Sequence, residues 1–271
     1  MNFRKIVFKL AMILLTVVSV QTSAQDIKWT KDGNAYYENS GGELVSITLP
    51  ANDRKTVLSR SLLYGNGKSG LNDFKDFQLS EDGTKVLLYT NSKKVWRYET
   101  RGDYFVVDLK TNQITQIGKD KPASSLMFAK FSPDGAKVAY VSKHNLYVED
   151  LATQTAKALT TDGTDRLING TFDWVYEEEF DCRDGFRWSP DGKSVAYWQI
   201  DATKIKNFLM INNTDSIYSY TVPVEYPKVG QDPSSCKVGI VDIATAKTNW
   251  LQIPGDQVQN YIPRMDWIPN T

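Results

Sequence analysis

The chain has 271 residues, with 32 basic and 32 acidic side chains, one histidine and two cysteines. That balance gives no electrostatic reason to expect nucleic acid or an anionic membrane surface as partner, and two cysteines are too few for a disulfide-stapled scaffold. The length is enough for one large core or two small ones.

Residues 1–24 place Arg4, Lys5 and Lys9 ahead of an apolar run from Leu10 to Val20, closed by Thr22, Ser23 and Ala24. This is the pattern of a secretory signal peptide, and its apolar run is too short for a stable membrane span. The mature chain, 25–271, is therefore expected to be exported, to the periplasm or the extracellular space. With the three leader cations gone, 29 basic residues face 32 acidic ones.

Four segments then open alike: KWTKDGNAYYE from Lys28, FQLSEDGTKVLLYT from Phe77, AKFSPDGAKVAYVS from Ala129 and FRWSPDGKSVAYWQ from Phe186. Each is an aromatic-containing run, an Asp-Gly turn and a second run of strand-forming residues. Glycine in the turn can take a positive φ, and the preceding Asp can bond back to the turn backbone, so the flanks read as antiparallel strands. Three second halves also recur, from Asp103, His144 and Cys236, each a strand, an Asp-Leu or Asp-Ile pair, a Thr-containing turn and a last strand. The Asp-Gly pairs at 32, 82, 134 and 191 are 50, 52 and 57 positions apart, a period expected of four-stranded propeller blades. The expected fold is all-β, a partial β-propeller of about four four-stranded antiparallel blades, each covered by its neighbours. No regularly inserted amphipathic helices support a parallel βαβ sheet instead.

Two segments depart from the repeat. Residues 200–235 carry Pro223, Pro227 and Pro233 and are expected to form an irregular surface loop. The closing YIPRMDWIPNT resembles the start of another hairpin, as if the sequence stopped inside a fifth blade and left open sheet edges.

Chemistry is sparse. There is no G-x-S-x-G elbow, H-E-x-x-H pair, phosphate-binding glycine motif or close His/Cys group, so no catalytic residue, cofactor or metal ligand is assigned. His144, the only histidine, reads as a turn residue between strands. Cys182 and Cys236 would allow one bridge in an oxidising compartment, a pairing that sequence leaves open. The unusual stretch is DWVYEEEF, residues 173–180. Glu177, Glu178 and Glu179 cannot all be buried and ionised without partners. On a strand, Glu177 and Glu179 would share a face; on a short helix, Glu178 and Glu179 could converge on one cation, such as an ammonium. A salt-bridged or solvated structural role and ligand recognition both stay open. Trp174 reads as a core anchor, with Tyr176 packing beneath the acidic segment.

DWVYEEEF, followed by FRWSPDGKSVAYWQ and then VEYPKVG, resembles the N-terminal β-propeller of the dipeptidyl peptidase IV family of serine peptidases. The resemblance runs from about Tyr36 to the end and is strongest between Asn169 and Gly230. It implies that Glu178 and Glu179 bind the free N-terminal ammonium of a peptide and so favour removal of a dipeptide over internal cleavage, the family's reaction being release of X-Pro-type dipeptides. At KKVWRYETRGDYFVVDL, residues 93–109, it implies that Arg97 holds a substrate carbonyl oxygen, beside the plainer reading of Arg97 as a salt-bridge or sheet-surface residue. The family's α/β-hydrolase domain, with its Ser, Asp and His, has no counterpart in these residues, so the chain alone is expected to be catalytically inactive. The partners implied are a peptide N-terminus and either a second copy of the chain or the missing hydrolase domain. The alternative is an exported non-enzymatic propeller that binds a protein or peptide.

Overall fold

Each Asp-Gly turn is built the same way. The hydroxyl of Thr30, Ser80, Ser132 or Ser189 donates to the carboxylate of the aspartate two residues on, at 2.6 to 2.7 Å. That carboxylate also accepts the backbone N–H of Asn34, Thr84, Ala136 or Lys193 at 3.0 to 3.1 Å. These bonds, the hydroxyl's first, hold the carboxyls of Asp32, Asp82, Asp134 and Asp191 below the ordinary carboxylate range. The glycines that follow take φ of +65° to +69°.

The computed structural model describes residues 27–65, 71 and 73–268, so the leader at 1–24 lies outside the described residues. Four antiparallel units follow one another along the chain. The first is β1 (Lys28–Trp29), β2 (Ala35–Ser40), β3 (Glu43–Thr48) and β4 (Arg54–Leu58), followed by the short helix α1 (Arg60–Tyr64). The second is β5 (Asp76–Leu79), β6 (Lys85–Val95), β7 (Tyr98–Asp108) and β8 (Ile114–Ile117). The third is β9 (Leu126–Phe131), β10 (Lys137–Ser142), β11 (Asn145–Asp150) and β12 (Thr155–Ala158). Pairing of β7 with β9 at Arg101 and Gly102 joins the second and third into one sheet.

The fourth unit carries two insertions. Its innermost strand is split into β13 (Leu167–Asn169) and β14 (Phe186–Trp188), with helix α2 (Trp174–Phe180) between them. After β15 (Ser194–Asp201), a separate hairpin of β16 (Asn207–Asn212) and β17 (Tyr220–Glu225) precedes β18 (Ser235–Asp242) and β19 (Thr248–Trp250). That hairpin corrects the expectation of an irregular loop. Pro223 lies within β17 opposite Leu209. In a two-stranded ribbon both strands are edges, so a residue without an N–H can face outward.

Strand alternation makes the core. Leu44, Leu58, Phe77, Val86 and Leu88 pack between the first and second units. Leu87, Tyr104, Val106, Val138 and Tyr140 pack between the second and third, while Ala139, Val141, Phe186, Val195 and Tyr197 pack between the third and fourth. Consecutive residues of one strand thus serve opposite interfaces, as stacked propeller blades require. The outer face of the fourth blade, Trp198, Ile200 and Val238, is covered by Phe172 and Tyr176 and by Ile262 and Met265 of the tail. Among the described residues the sheets do not close into a ring.

The tail also departs from expectation. Residues 261–268 form no strand, because among the described residues no following strand offers them a ladder; Pro269 to Thr271 lie outside the described residues. Yet Trp267 Nε1–H donates to the Arg187 carbonyl at 3.2 Å, just as Trp188 Nε1–H donates to the Lys130 carbonyl at 3.3 Å. Lys130 and Arg187 occupy equivalent places in KFSPDG and RWSPDG. The tail therefore sits against the fourth blade as the fourth sits against the third.

Candidate functional site

Two excursions leave the blades and meet. The first is the split innermost strand. Asn169 pairs with Gln199 and Phe186 with Tyr197, so the ladder resumes across Trp198 with no change of register. A backbone clasp closes the base: Gly170 N–H donates to the Trp198 carbonyl at 2.9 Å, Trp198 N–H to Gly185 at 3.0 Å and Gly185 N–H to Gly170 at 3.0 Å. Gly170 needs φ of +73°, and a Cβ on Gly185 would lie 2.7 Å from the Gly170 carbonyl carbon.

Within the excursion the acidic segment is helical. Asp173 is the N-cap: its Oδ1 accepts the Tyr176 N–H at 3.1 Å and its Oδ2 the Ser234 hydroxyl at 2.6 Å. Asp181 ends the helix in the left-handed region at φ 58°. Val175 and Tyr176 point inward; the Tyr176 ring stacks on Phe172 at 5.4 Å and its hydroxyl accepts the Ile262 N–H at 3.2 Å. Trp174 is half-buried against Tyr226, with ring centroids 4.6 Å apart. Glu177 is buried, and desolvation raises its carboxyl above the ordinary range against the opposing field of Arg183. Glu178 and Glu179 face solvent. The three carboxylates are thus sorted by the helix into one inside and two outside.

The second excursion is the outer half of the β6–β7 hairpin, which ends in a two-residue tip, Trp96 and Arg97, between the paired Val95 and Tyr98. Trp96 is left-handed at φ 51°. The tip reaches α2, where Arg97 Nη2 lies 2.8 Å from Glu178 Oε1. The Arg97 side chain is 67% exposed and that of Glu178 32%, so the pair contributes about 0.2–1 kcal/mol and opens readily. Arg183, three residues after α2, lies over the Tyr98 ring at 4.0 Å and ties the same hairpin to the helix. Arg97 and Glu178 are therefore brought together from positions 81 residues apart, with Glu179 next along the helix.

Cys182 and Cys236 share the Trp198 cluster but stand as free thiols, so the bridge allowed by sequence is not formed here. Cys182 Sγ instead faces the carbonyls of Phe180 and Pro263, at 3.6 and 3.3 Å. Burial pushes the Cys236 thiol up to about 12. Among the described residues no cluster of His, Cys, Asp and Glu could hold a metal ion, and no helix is long and apolar enough to cross a membrane.

A cleft of about 1050 Å³ opens beside the two excursions, with Trp96 and Trp174 in its walls. It also holds His144, which lies in a turn between strands as the sequence suggests, with no site role assigned to it there. Lys143 and His144 form the two-residue β10–β11 turn with φ of 48° and 59°, a conformation that favours Asn and Gly. His144 lines the cleft. The clue in the sequence was a two-residue loop containing neither Asn nor Gly.

Burial pulls the His144 imidazole below its ordinary value, against the carboxylates of Asp165 and Glu225, which pull it up. The unfolded chain therefore binds this proton more readily than the folded one. The stability concerned is complete above the unfolded value of about 6.5 and is lost as pH falls below it. Urea midpoints measured between about pH 7.5 and pH 5.5 are expected to fall more steeply for the unsubstituted chain than for His144→Asn, in which the turn keeps a residue suited to positive φ. Parallel curves would remove His144 from the pH response.

A family model described as the dipeptidyl peptidase IV N-terminal region matches residues 80–271. Dipeptidyl aminopeptidase B of Saccharomyces cerevisiae is 30% identical over 264 residues, which cover 92% of this chain and 32% of that protein. Inactive dipeptidyl peptidase 10 of Rattus norvegicus is 24% identical over 252 residues, covering 91% of this chain and 31% of that one. Among solved structures, Porphyromonas gingivalis dipeptidyl peptidase 4 superposes with a TM-score of 0.81 at 26% identity, over 89% of this chain and 34% of that chain. The chain thus spans about a third of the length of these relatives.

Proposed function

Because the chain belongs to the dipeptidyl peptidase IV N-terminal region family, we propose that it is the propeller portion of an exported serine peptidase that releases X-Pro-type dipeptides. In this reading Glu178 and Glu179 hold the free N-terminal ammonium of a peptide, and Arg97 holds a carbonyl oxygen close by. The serine chemistry belongs to a hydrolase domain outside these residues. The supporting observation is the meeting of Arg97 with Glu178 at 2.8 Å, beside an exposed Glu179, on two excursions built for no evident purpose of the blades. A substrate ammonium would exchange with the Arg97 guanidinium for Glu178, freeing Arg97 for the carbonyl. Two carboxylates fixed on one helix also set how far the amine stands from the next peptide bonds, which selects chain ends over internal sites.

The test is calorimetry with one X-Pro peptide, free and N-acetylated. Acetylation is expected to weaken binding about tenfold or more, as are Glu178→Gln and Glu179→Gln singly, whereas Glu177→Gln changes it by about twofold at most. The second reading, an exported non-enzymatic propeller that binds a protein or peptide, is favoured by the β16–β17 hairpin, whose Leu209, Met210, Ile211 and Tyr218 are exposed. Equal affinity for the two peptides, unchanged by either Gln substitution, selects it.

A further inference from the structure

The cleft beside α2 carries charge that the blades do not use. Lys93, Arg101 and Lys143 line it, and none of them has an ion-pair partner among the described residues. Of its carboxylates, Glu225 is paired with Arg166 at 3.3 Å, and Asp173 is occupied as the helix cap. Asp165 is left to oppose the three cations, together with the part of the Glu225 charge that Arg166 does not offset. An unused cationic excess of this kind in a concave wall favours an anion.

A second feature points the same way. His144 Nδ1 is buried with no hydrogen-bond partner, a costly arrangement unless a ligand supplies one. The turn that holds it is clamped. Its carbonyl accepts both the Asn169 backbone N–H at 3.2 Å and the Asn169 side-chain amide at 3.1 Å, and Gly163 approaches so closely that a Cβ would lie 2.1 Å from the His144 carbonyl oxygen. Positive φ at two non-glycine residues persists only where the surroundings impose it, and such strain gathers at binding sites. With its proton on Nδ1, the ring would donate to a carboxylate oxygen beside the three cations.

The cleft and the Glu178–Glu179 pair are built from the same two excursions. Trp96 lines the cleft while its neighbour Arg97 meets Glu178, and Trp174 lines the cleft at the start of the helix that carries both glutamates. Trp174 and Glu178–Glu179 are separated by about 6–8 Å along the helix axis, a distance covered by the hydrogen bond to a bound amine and an extended glutamate side chain together.

We propose that this cleft is a subsite for the side-chain carboxylate of an N-terminal glutamate, so that the chain selects acidic peptide N-termini. The inference rests on the amine-binding reading for its geometry. It is tested by calorimetry of the full chain with four peptide amides, Glu-Pro-Ala-Ala and Gln-Pro-Ala-Ala, each free and N-acetylated. The free Glu peptide is expected to bind about tenfold tighter than the free Gln peptide at low salt, with the margin shrinking as salt rises. Lys143→Gln combined with Arg101→Gln, both at exposed positions, is expected to abolish that margin while the penalty of acetylation persists. His144→Asn should narrow it a few-fold. Glutarate at the same concentrations distinguishes a free dicarboxylate from a peptide side chain: binding as tight as that of the Glu peptide overturns the proposal. So do equal affinities for Glu and Gln peptides, a margin undiminished in the double variant, or no binding of any of the four. If acetylation has no effect but the margin survives in the acetylated pair, the amine reading fails alone. If the margin is absent but acetylation weakens binding, this subsite fails alone.

Discussion

Gly185→Ala is expected to destabilise the chain by about 2–4 kcal/mol and to dismantle the contact between Arg97 and Glu178. The added methyl would meet three backbone atoms, the Gly170 carbonyl carbon and oxygen and the Thr171 nitrogen, at 2.7 to 2.8 Å. Backbone on both sides of a hydrogen-bonded clasp cannot swing away as a side chain tip can. Relief must come from opening the Gly170–Gly185 bond, and α2 then loses its fixed position over Trp198. Gly192→Ala is the control. It sits at φ +67° with nothing nearer than Pro133 Cδ at 3.5 Å, so it carries only the left-handed penalty of about 1–2 kcal/mol and leaves α2 in place. Urea denaturation gives the stability, and hydrogen exchange over residues 171–184 gives the local effect. A Gly185→Ala protein no less stable than the Gly192→Ala one, with exchange unaltered in that segment, would show that the clasp does not position the helix.

Trp198→Ala is expected to cost about 3–5 kcal/mol. The ring is 1% exposed and packs against Phe172 at 5.2 Å, and its Nε1–H donates to the Ile262 carbonyl at 2.7 Å. Truncation opens a cavity beneath α2 and removes the tail's anchor together. Trp198→Phe separates the two effects: it retains most of the packing and loses the hydrogen bond, at about 0.5–1.5 kcal/mol. Both variants should speed exchange at Ile262, whose N–H is bonded to the Tyr176 hydroxyl. If the alanine variant is destabilised while Ile262 keeps its protection, the tail is held by something other than this residue.

These two residues also mark how far sequence reading reached. The blades were legible because their signals are local: a hydroxyl, an aspartate and a glycine within four positions specify each turn, and alternating residues specify each strand. The helical form of DWVYEEEF was one of two conformations open, and the Asp173 cap with its buried Ser234 partner, 61 residues away, settled it. Gly170 and Gly185 carry no signal of their own in the sequence, because their role exists only once residue 198 lies between them. The β16–β17 ribbon was hidden by Pro223, whose rule against sheets does not hold for an edge. The subsite around His144 was obscured because a lone histidine in a turn carries no motif; its burial and its cationic neighbours come from three separate blades.

Because the fourth blade resumes its ladder in register after the excursion, it is indifferent to what is threaded between Gly170 and Gly185. Residues 171–184 behave as a cassette clipped into a finished strand. Such a segment can be rewritten in evolution or by design without disturbing the ladder of the fourth blade, the contacts to renegotiate being the patch over Trp198, the hairpin tip at Arg97 and Tyr98, and Lys130, which pairs with Asp184.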